Sequence, residues 1–341
     1  MKTGRPSARR KVILRAMYIT LAFLLLLPSF LRGGTEPAMA DGYIKWVDFD
    51  LTSDLIRAAV KCDLETYEAA KKGSGTHAEL VTILAIAAAD NGGEVKRIKT
   101  DTIRKISERL AAGEAPGNIT KNQKLFAYYS GAYGAALGGV MGNYAVKGSD
   151  GNYEKRYGVR VFSPIAAGYH YGDYDDFGAS RSYGYRRPHL GHDMLGDIGT
   201  PIVAVESGRV EACGWNQYGG WRIGIRSHDG KRYYYYAHLR RGHPFAGIEE
   251  GMNVTAGEVI GYLGMTGYSA KEDTNNIDTP HLHFGLELIF DESQKDGWNQ
   301  IWIDLYEYTK FLSRFRSATH YDKESGETVA DSVIIDLDAP D

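Results

Sequence analysis

Cysteine is almost missing from this chain of 341 residues: Cys62 and Cys213 are the whole supply. Two lone thiols far apart in sequence build no disulfide framework, so stability has to come from packed cores. Long apolar runs are equally scarce. The one candidate, AMYITLAFLLLLPSFL from Ala16 to Leu31, follows the basic MKTGRPSARRKVILR, contains Pro28 and falls short of the ~20 apolar residues of a spanning helix. Ala38-Met39-Ala40 downstream has the A-x-A form of a signal-peptidase site, so residues 1–40 read as a signal peptide cleaved after Ala40, with an uncleaved N-terminal membrane anchor as the alternative. Basic charge is short as well. Without residues 1–40 the chain keeps 33 Lys and Arg against 42 Asp and Glu, a net charge near −9. A body this acidic repels polyanions, which argues against nucleic acid as a partner. What remains is long enough for two domains, each with a core.

From Ser53 the pattern is helical. Leu55, Ile56, Ala59, Val60 and Tyr67 recur at helical spacing until Gly73. Thr76 and Glu79 have the spacing of a capping box ahead of a second apolar helix with Leu80, Ile83, Leu84 and Ala87, which stops at DNGG. Ile103, Ile106 and Leu110 mark a third helix, closed by Gly113. A fourth runs from about Thr120 through KLFAYYSGAYGAALGGVMG, where Gly131, Gly134, Gly138 and Gly142 form a small-residue face suited to close helix packing or to a membrane partner. Residues 41–150 thus read as an all-helical domain. Its only histidine, His77, is expected to be a solvated residue on a first helical turn, and no ligand constellation appears there. Its role stays open between positioning the second domain and binding a membrane or protein partner.

After Asp150 the periodicity changes to short apolar strands parted by Gly, Asn and Asp turns: PIVAVESGRVEACGW, WRIGIRSHDGKRYYYYAHL, EVIGYLGMTGYS and HLHFGLELI, with HDGK as a hairpin turn. An antiparallel β-rich domain follows over residues 151–316, ending in a C-terminal helix in QIWIDLYEYTKFLSRF. Residues 317–341, rich in Asp and Glu, read as a solvated, flexible tail. The fold class is therefore α+β.

Within the β-rich half, TPHLHFGLELI places His281, His283, Gly285 and Glu287 on one face of a strand and Leu282, Phe284, Leu286 and Leu288 on the other. The second face makes a core, and the first projects two imidazoles together. Upstream, RRPHLGHDM holds His189 and Asp193 four apart. Imidazole and carboxylate suit a borderline-soft Zn²⁺, and a catalytic zinc takes three protein ligands and keeps one position open. His189, Asp193 and one histidine of the HxH pair would fill that quota. His238 ends the aromatic strand YYYYAHL between the two motifs. His192 is adjacent to Asp193 and points away from it in an extended segment; His170, His228, His243 and His320 match no motif and are expected at the surface.

From YGYRRPHLGHDM at Tyr183 to HLHFGLEL at Leu288 the chain resembles the lysostaphin-type (LytM-like) zinc metallopeptidases, which cleave peptide bonds of bacterial peptidoglycan. GTPIVAVESGRV, YYYYAHL, AGEVIGYLGMTG and PHLHF occur in the family's order. The resemblance implies that His189, Asp193 and His283 are metal ligands for one Zn²⁺ per chain, and that His281 and His238 flank the open position as catalytic histidines. It implies a secreted or membrane-tethered zinc endopeptidase of peptidoglycan stem or cross-link peptides in a bacterial cell envelope. The alternative is a catalytically silent peptidoglycan-binding or scaffold protein that keeps the fold, and occupation of all five positions by competent residues favours the enzyme. Two departures stand out. TGYSAKEDTNNIDTPHLHFGLE lengthens the loop before the histidine pair, and Gly285 stands where the family has glutamate. The longer loop, Ser269 to Pro280, carries Glu272, Asp273 and Asp278, from which a preference for neutral or amine-bearing cross-links is expected. The tyrosine-rich YGDYDDFGASRSYGYR ahead of His189 would line the same groove or pack.

Overall fold

A computed structural model describes residues 39–40, 43–147, 152–295 and 299–338. The expected leader lies outside the described residues up to Ala38. Among the described residues no helix is long and apolar enough to cross a membrane.

Helix α1, Ser53–Lys71, starts where Thr52 accepts a hydrogen bond from the Leu55 amide at 3.3 Å, and it buries Leu55, Ile56, Ala59 and Val60. Helix α2, Leu80–Asp90, is apolar all round and correspondingly buried all round, from Ile83 through Ala89. The capping box expected at its start does not form. Asp63 of α1 takes that part, its Oδ2 accepting from the Leu80 amide at 2.7 Å. The same buried carboxylate accepts from the Tyr157 hydroxyl at 2.8 Å and pairs with His77 at 2.9 Å. His77 is thus a half-buried member of a network, not a solvated residue. Helix α3, Thr100–Ala111, is amphipathic, with Ile103, Ile106 and Leu110 inside and Arg104 paired to Asp101 and Glu108 outside. A short turn of helix, α4, Pro116–Ile119, leads to α5, Gln123–Leu137. The buried face of α5 is its alanine and tyrosine face. Its glycines lie alongside, Gly134 against Val81 of α2 and Gly131 so near Ile44 that a Cβ would approach within 3.0 Å.

Past α5 the chain turns extended. Strand β1, Met141–Lys147, pairs antiparallel with β2, Tyr153–Val159. The functional half is an antiparallel sheet built from β3 (Tyr171–Asp173), β4 (His192–Gly196), β6 (Gly208–Asn216), β7 (Gly220–Ser227), β8 (Arg232–Ala237), β9 (Asn253–Val254) and β11 (His281–Leu288), in spatial order β9-β6-β7-β8-β11-β4-β3. Strand β12, Ile301–Trp302, adds to the end of β11, while β5, Pro201–Val203, and β10, Val259–Tyr262, form a separate ladder. Along β11 the alternation is as the sequence requires: Leu282, Phe284, Leu286 and Leu288 are fully buried on the core side. The C-terminal helix α6, Tyr306–Leu312, adds Tyr308, Phe311 and Leu312 to that core. The core does not break at residue 150. Phe49, ahead of the helices, meets Tyr133 of α5 and Tyr308 of α6 edge-on, at 6.2 and 6.4 Å between ring centroids.

The acidic C-terminal segment is folded, contrary to its composition. Strands β13 (Thr319–Asp322) and β14 (Glu327–Ala330) form a hairpin, and β15 (Ile334–Asp336) completes a three-stranded sheet against β1. Its acids have specific partners: Asp336 and Asp338 hold Arg160, and Glu327 accepts from the Tyr262 hydroxyl and pairs with His243. A run of acids paired this way is not a solvated tail.

Candidate active site

Register places the site. On β11, His283 sits opposite Asp193 of β4 on one side and opposite Ala237 of β8 on the other, so the strand that carries the histidine pair also lies next to both remaining motifs. His189 is brought in by the turn before β4, where its amide donates to the Ala179 carbonyl at 2.8 Å. Gly191 lets this turn close over the site, because a Cβ there would stand 2.6 Å from the His283 ring.

Three atoms converge. His189 Nε2, Asp193 Oδ1 and His283 Nδ1 lie 2.9, 3.0 and 2.8 Å apart pairwise, and the three residues are the group of side chains, among those described, whose atoms could hold a metal ion. The protonation pattern fits a cation. His189 Nδ1 faces the Asp176 backbone carbonyl and carboxylate, each at 3.2 Å, so it carries the proton and leaves a lone pair on Nε2. Burial pushes His283 below the ordinary imidazole range despite its contact with Asp193. Burial pulls the Asp193 carboxyl upward, but its contacts with the ring nitrogens of His189 and His283 outweigh it and hold the group below the ordinary carboxylate range. Lone-pair donors this close together repel unless a cation lies between them.

The other two histidines flank this triangle without joining it. His281 gives its Nδ1–H to the Thr279 carbonyl at 2.8 Å, and its Nε2 stands 3.6 Å from Asp193 Oδ1. His238 gives its Nδ1–H to the Thr266 carbonyl, also at 2.8 Å. In both, Nε2 is thereby left as the acceptor, and the two rings are 4.8 Å apart. His238 has a positive φ of 61°, a conformation a non-glycine residue holds only when its surroundings impose it. Burial first, then His281 and His283, push its pKa well below the usual histidine value, so it is neutral. His192 is on the opposite face of β4, buried, with Nε2 3.1 Å from Asp173, outside the site as its alternation requires.

These groups open onto a groove of about 690 Å³. One wall takes Tyr174 and Arg181 from the tyrosine-rich segment; beside it Tyr183 stacks on Tyr268 at 4.7 Å, and the Arg187 guanidinium lies over Tyr218 and Tyr268 at 4.8 and 5.5 Å. The floor carries Tyr233, Tyr235 and Trp302. Gly285 explains the last: a Cβ on it would come within 2.7 Å of the Trp302 ring, so the indole fills the space that a side chain at 285 would need. Of the three loop acids, only Asp278 lines the groove. The Asp273 carboxylate is turned away, accepting from Trp221 Nε1 and the Gly242 amide at 2.8 Å each.

Two residues escape sequence reasoning. Arg181 Nη2 donates both to Asp176 Oδ2 at 2.6 Å and to Asp193 Oδ2 at 2.9 Å. Neither Asp176 nor Arg181 stands at a recognisable spacing from the ligand motifs, and only the folded turn brings them there.

A β-rich fold that brings His189, Asp193 and His283 from a turn and two adjacent strands into one triangle, with the imidazoles of His238 and His281 beside it, defines a metallopeptidase-like site. Residues 187–296 match the model of Peptidase family M23. The chain is 37% identical over 153 residues to the L-Ala--D-Glu endopeptidase of Bacillus subtilis, a match covering 45% of this chain and 43% of that protein. It is 39% identical over 97 residues to lysostaphin of Staphylococcus staphylolyticus, covering 28% of this chain and 18% of that protein. The chain thus spans less than half the length of these relatives. The catalytic domain of the antimicrobial peptidase lysostaphin from Staphylococcus simulans is similar at 31% identity and a TM-score of 0.32, over 41% of this chain and 92% of that one.

Proposed function

We propose that the chain is a zinc-dependent endopeptidase that cleaves peptide bonds in peptidoglycan stem or cross-link peptides outside the cytoplasmic membrane. His189, Asp193 and His283 hold one Zn²⁺, and His238 and His281 are catalytic. The observation that carries this reading is the triangle of ligand atoms with two flanking imidazoles, each locked through Nδ1 so that Nε2 is free for the reaction. Resemblance of this domain to endopeptidases supports the reaction class, and the leader-like residues 1–40 support the location.

Zinc, when bound, supplies Lewis acidity and a water whose pKa falls toward ~7. The chain's own groups do the rest. The groove holds an extended peptide with its scissile carbonyl beside the ligand triangle. A neutral imidazole accepts at Nε2 the proton of the attacking water as the O–C bond forms, and the resulting imidazolium returns it to the amide nitrogen as the C–N bond breaks. Neutrality of His238 keeps that acceptor available in the pH range where an ordinary imidazole begins to protonate. The expected bias against acidic peptides draws on Asp278 alone of the three loop acids, and Arg187, Arg222 and Lys295 line the groove beside Asp278 and Glu287.

The test is digestion of two purified cell walls, one with glycine bridges and one with direct diamino-acid cross-links, by protein of confirmed zinc content. Mass spectrometry should find new amino termini and no new reducing sugar ends. No cleavage of either wall by zinc-loaded protein would transfer the assignment to a binding or scaffold role, and reducing ends alone would place the reaction on the glycan.

A further inference from the structure

Asp176 and Arg181 lie upstream of the stretch that matches the peptidase family, yet they reach the centre of the site. We propose that the two form a positioning clamp that presets Asp193 and His189 for the metal; the proposal rests on the reading that His189, Asp193 and His283 are its ligands. A carboxylate can offer one oxygen or two. Here Arg181 Nη2 occupies Asp193 Oδ2 at 2.9 Å, leaving Oδ1 alone to face the imidazoles of His189 and His283. The same nitrogen holds Asp176 Oδ2 at 2.6 Å, and Asp176 in turn accepts the Nδ1–H of His189 on its backbone carbonyl, with its carboxylate 3.2 Å from the same ring nitrogen. One guanidinium nitrogen therefore connects the outer contacts of two of the three ligands. It fixes which oxygen of Asp193 and which tautomer of His189 meet the ion.

Charge gives the clamp its necessity. The Asp176 and Asp193 side chains are only 5% and 11% exposed, and two buried carboxylates so close repel each other unless a cation is shared between them. The backbone gives it rigidity. Ser180 and Arg181 pair with Pro188 and Arg187 in a two-residue ladder, and the Gly178 and His189 amides donate to the His189 and Ala179 carbonyls at 2.8 Å. The clamp is thus hydrogen-bonded directly to the turn that carries His189. Groups that orient ligands in this way are worth ~10- to 100-fold in metal affinity.

Because a single nitrogen makes both contacts, an ammonium can take its place. In full-length protein, zinc affinity measured by chelator competition should fall ~10- to 100-fold in Arg181→Met and in Asp176→Asn, while Arg181→Lys should recover a large part of the loss. The double variant Arg181→Met/Asp176→Asn should lose less than the product of the single losses, since both act through one link. The visible spectrum of the Co²⁺-substituted protein should change in Arg181→Met and resemble wild type in Arg181→Lys, a signature that general destabilisation would not give. If wild type binds zinc and Arg181→Met and Asp176→Asn bind it within about twofold of wild type, the clamp is overturned while the ligand assignment stands. Where Arg181→Met does not fold, Asp176→Asn and Arg181→Lys decide: equal affinity in Asp176→Asn, or an Arg181→Lys protein as weak as a ligand variant, overturns it. A wild type that binds no zinc removes the ligand reading itself and the clamp with it.

Discussion

In the proposed site, two histidines one residue apart on the same face of β11 take different tasks because their ring nitrogens face different partners. His283 turns Nδ1 into the ligand triangle, whereas His281 spends Nδ1–H on the Thr279 carbonyl and keeps Nε2 at the rim. His281→Ala should therefore keep its metal while turnover falls by ~10² to 10⁴, and His283→Ala should lose both. Metal content by elemental analysis beside turnover separates the cases; equal metal loss in the two variants would undo the division. The thiols illustrate the opposite situation, residues without a chemical task. Burial first, then Glu250, push Cys213 up to about 11, so at pH 8 it holds ~10²-fold less thiolate than an ordinary thiol and should react with iodoacetamide correspondingly slowly in the native protein. Labelling as fast as that of a free thiol would show that the pocket around it opens. At this scale the sequence was most legible where a residue's chemistry is its own. His189, Asp193, His238, His281 and His283 announce themselves by type. Asp176 and Arg181 do not, because a carboxylate and a guanidinium acquire their meaning from what the turn brings near them, and His77 reads as solvated because its partner Asp63 lies on the preceding helix.

Elements were legible as far as periodicity reaches. The alternation of HLHFGLEL places four apolar side chains in the core, and the helical spacing of residues 53–71 gives α1 with Thr52 as its cap. Where an element end is settled by a distant residue, local signals mislead: α2 is capped by Asp63 of α1, although Thr76 and Glu79 have the right spacing. The same holds for the C-terminal strand β15, whose acids read as solvated until β1 and Arg160 are in place. Gly285 is an element-level adaptation of β11. Its hydrogen is all that the Trp302 ring leaves room for, so Gly285→Ala should destabilise by about 1–3 kcal/mol through overpacking, with most of the loss relieved in Gly285→Ala/Trp302→Ala. Urea unfolding of the two variants checks it. A Gly285→Ala protein as stable as wild type would mean that the indole moves freely.

The helical and sheet segments are held together by more than apolar contact, and this bears on how the molecule unfolds. Arg232 of β8 is 1% exposed, with Nε and Nη2 on the Glu206 carboxylate at 2.7 and 3.0 Å and Nη1 on the Ala135 carbonyl at 2.6 Å. That carbonyl lies in the last turn of α5, where helix carbonyls lack partners, so a buried cation from the sheet satisfies the helix end and complements its dipole. Tyr234 donates to the same Glu206 at 2.8 Å. Composition and periodicity divide the chain near residue 150, since they register the change from a 3.6 to a 2 repeat; they cannot register that one guanidinium ties the halves together. Arg232→Met would leave Glu206 buried without its cation and the Ala135 carbonyl without its donor, at a cost of about 3–5 kcal/mol, whereas Arg232→Met/Glu206→Leu should recover part of that. Because Phe49, Tyr133 and Tyr308 also share one core, wild-type unfolding followed by far-ultraviolet dichroism of the helices and by fluorescence of the sheet tryptophans should give coincident transitions. Arg232→Met should pull the helical signal to lower urea than the sheet signal, exposing an intermediate with the sheet intact. Separate transitions in the wild type, or an Arg232→Met protein of unchanged stability, would mean that the guanidinium joins two units that fold on their own.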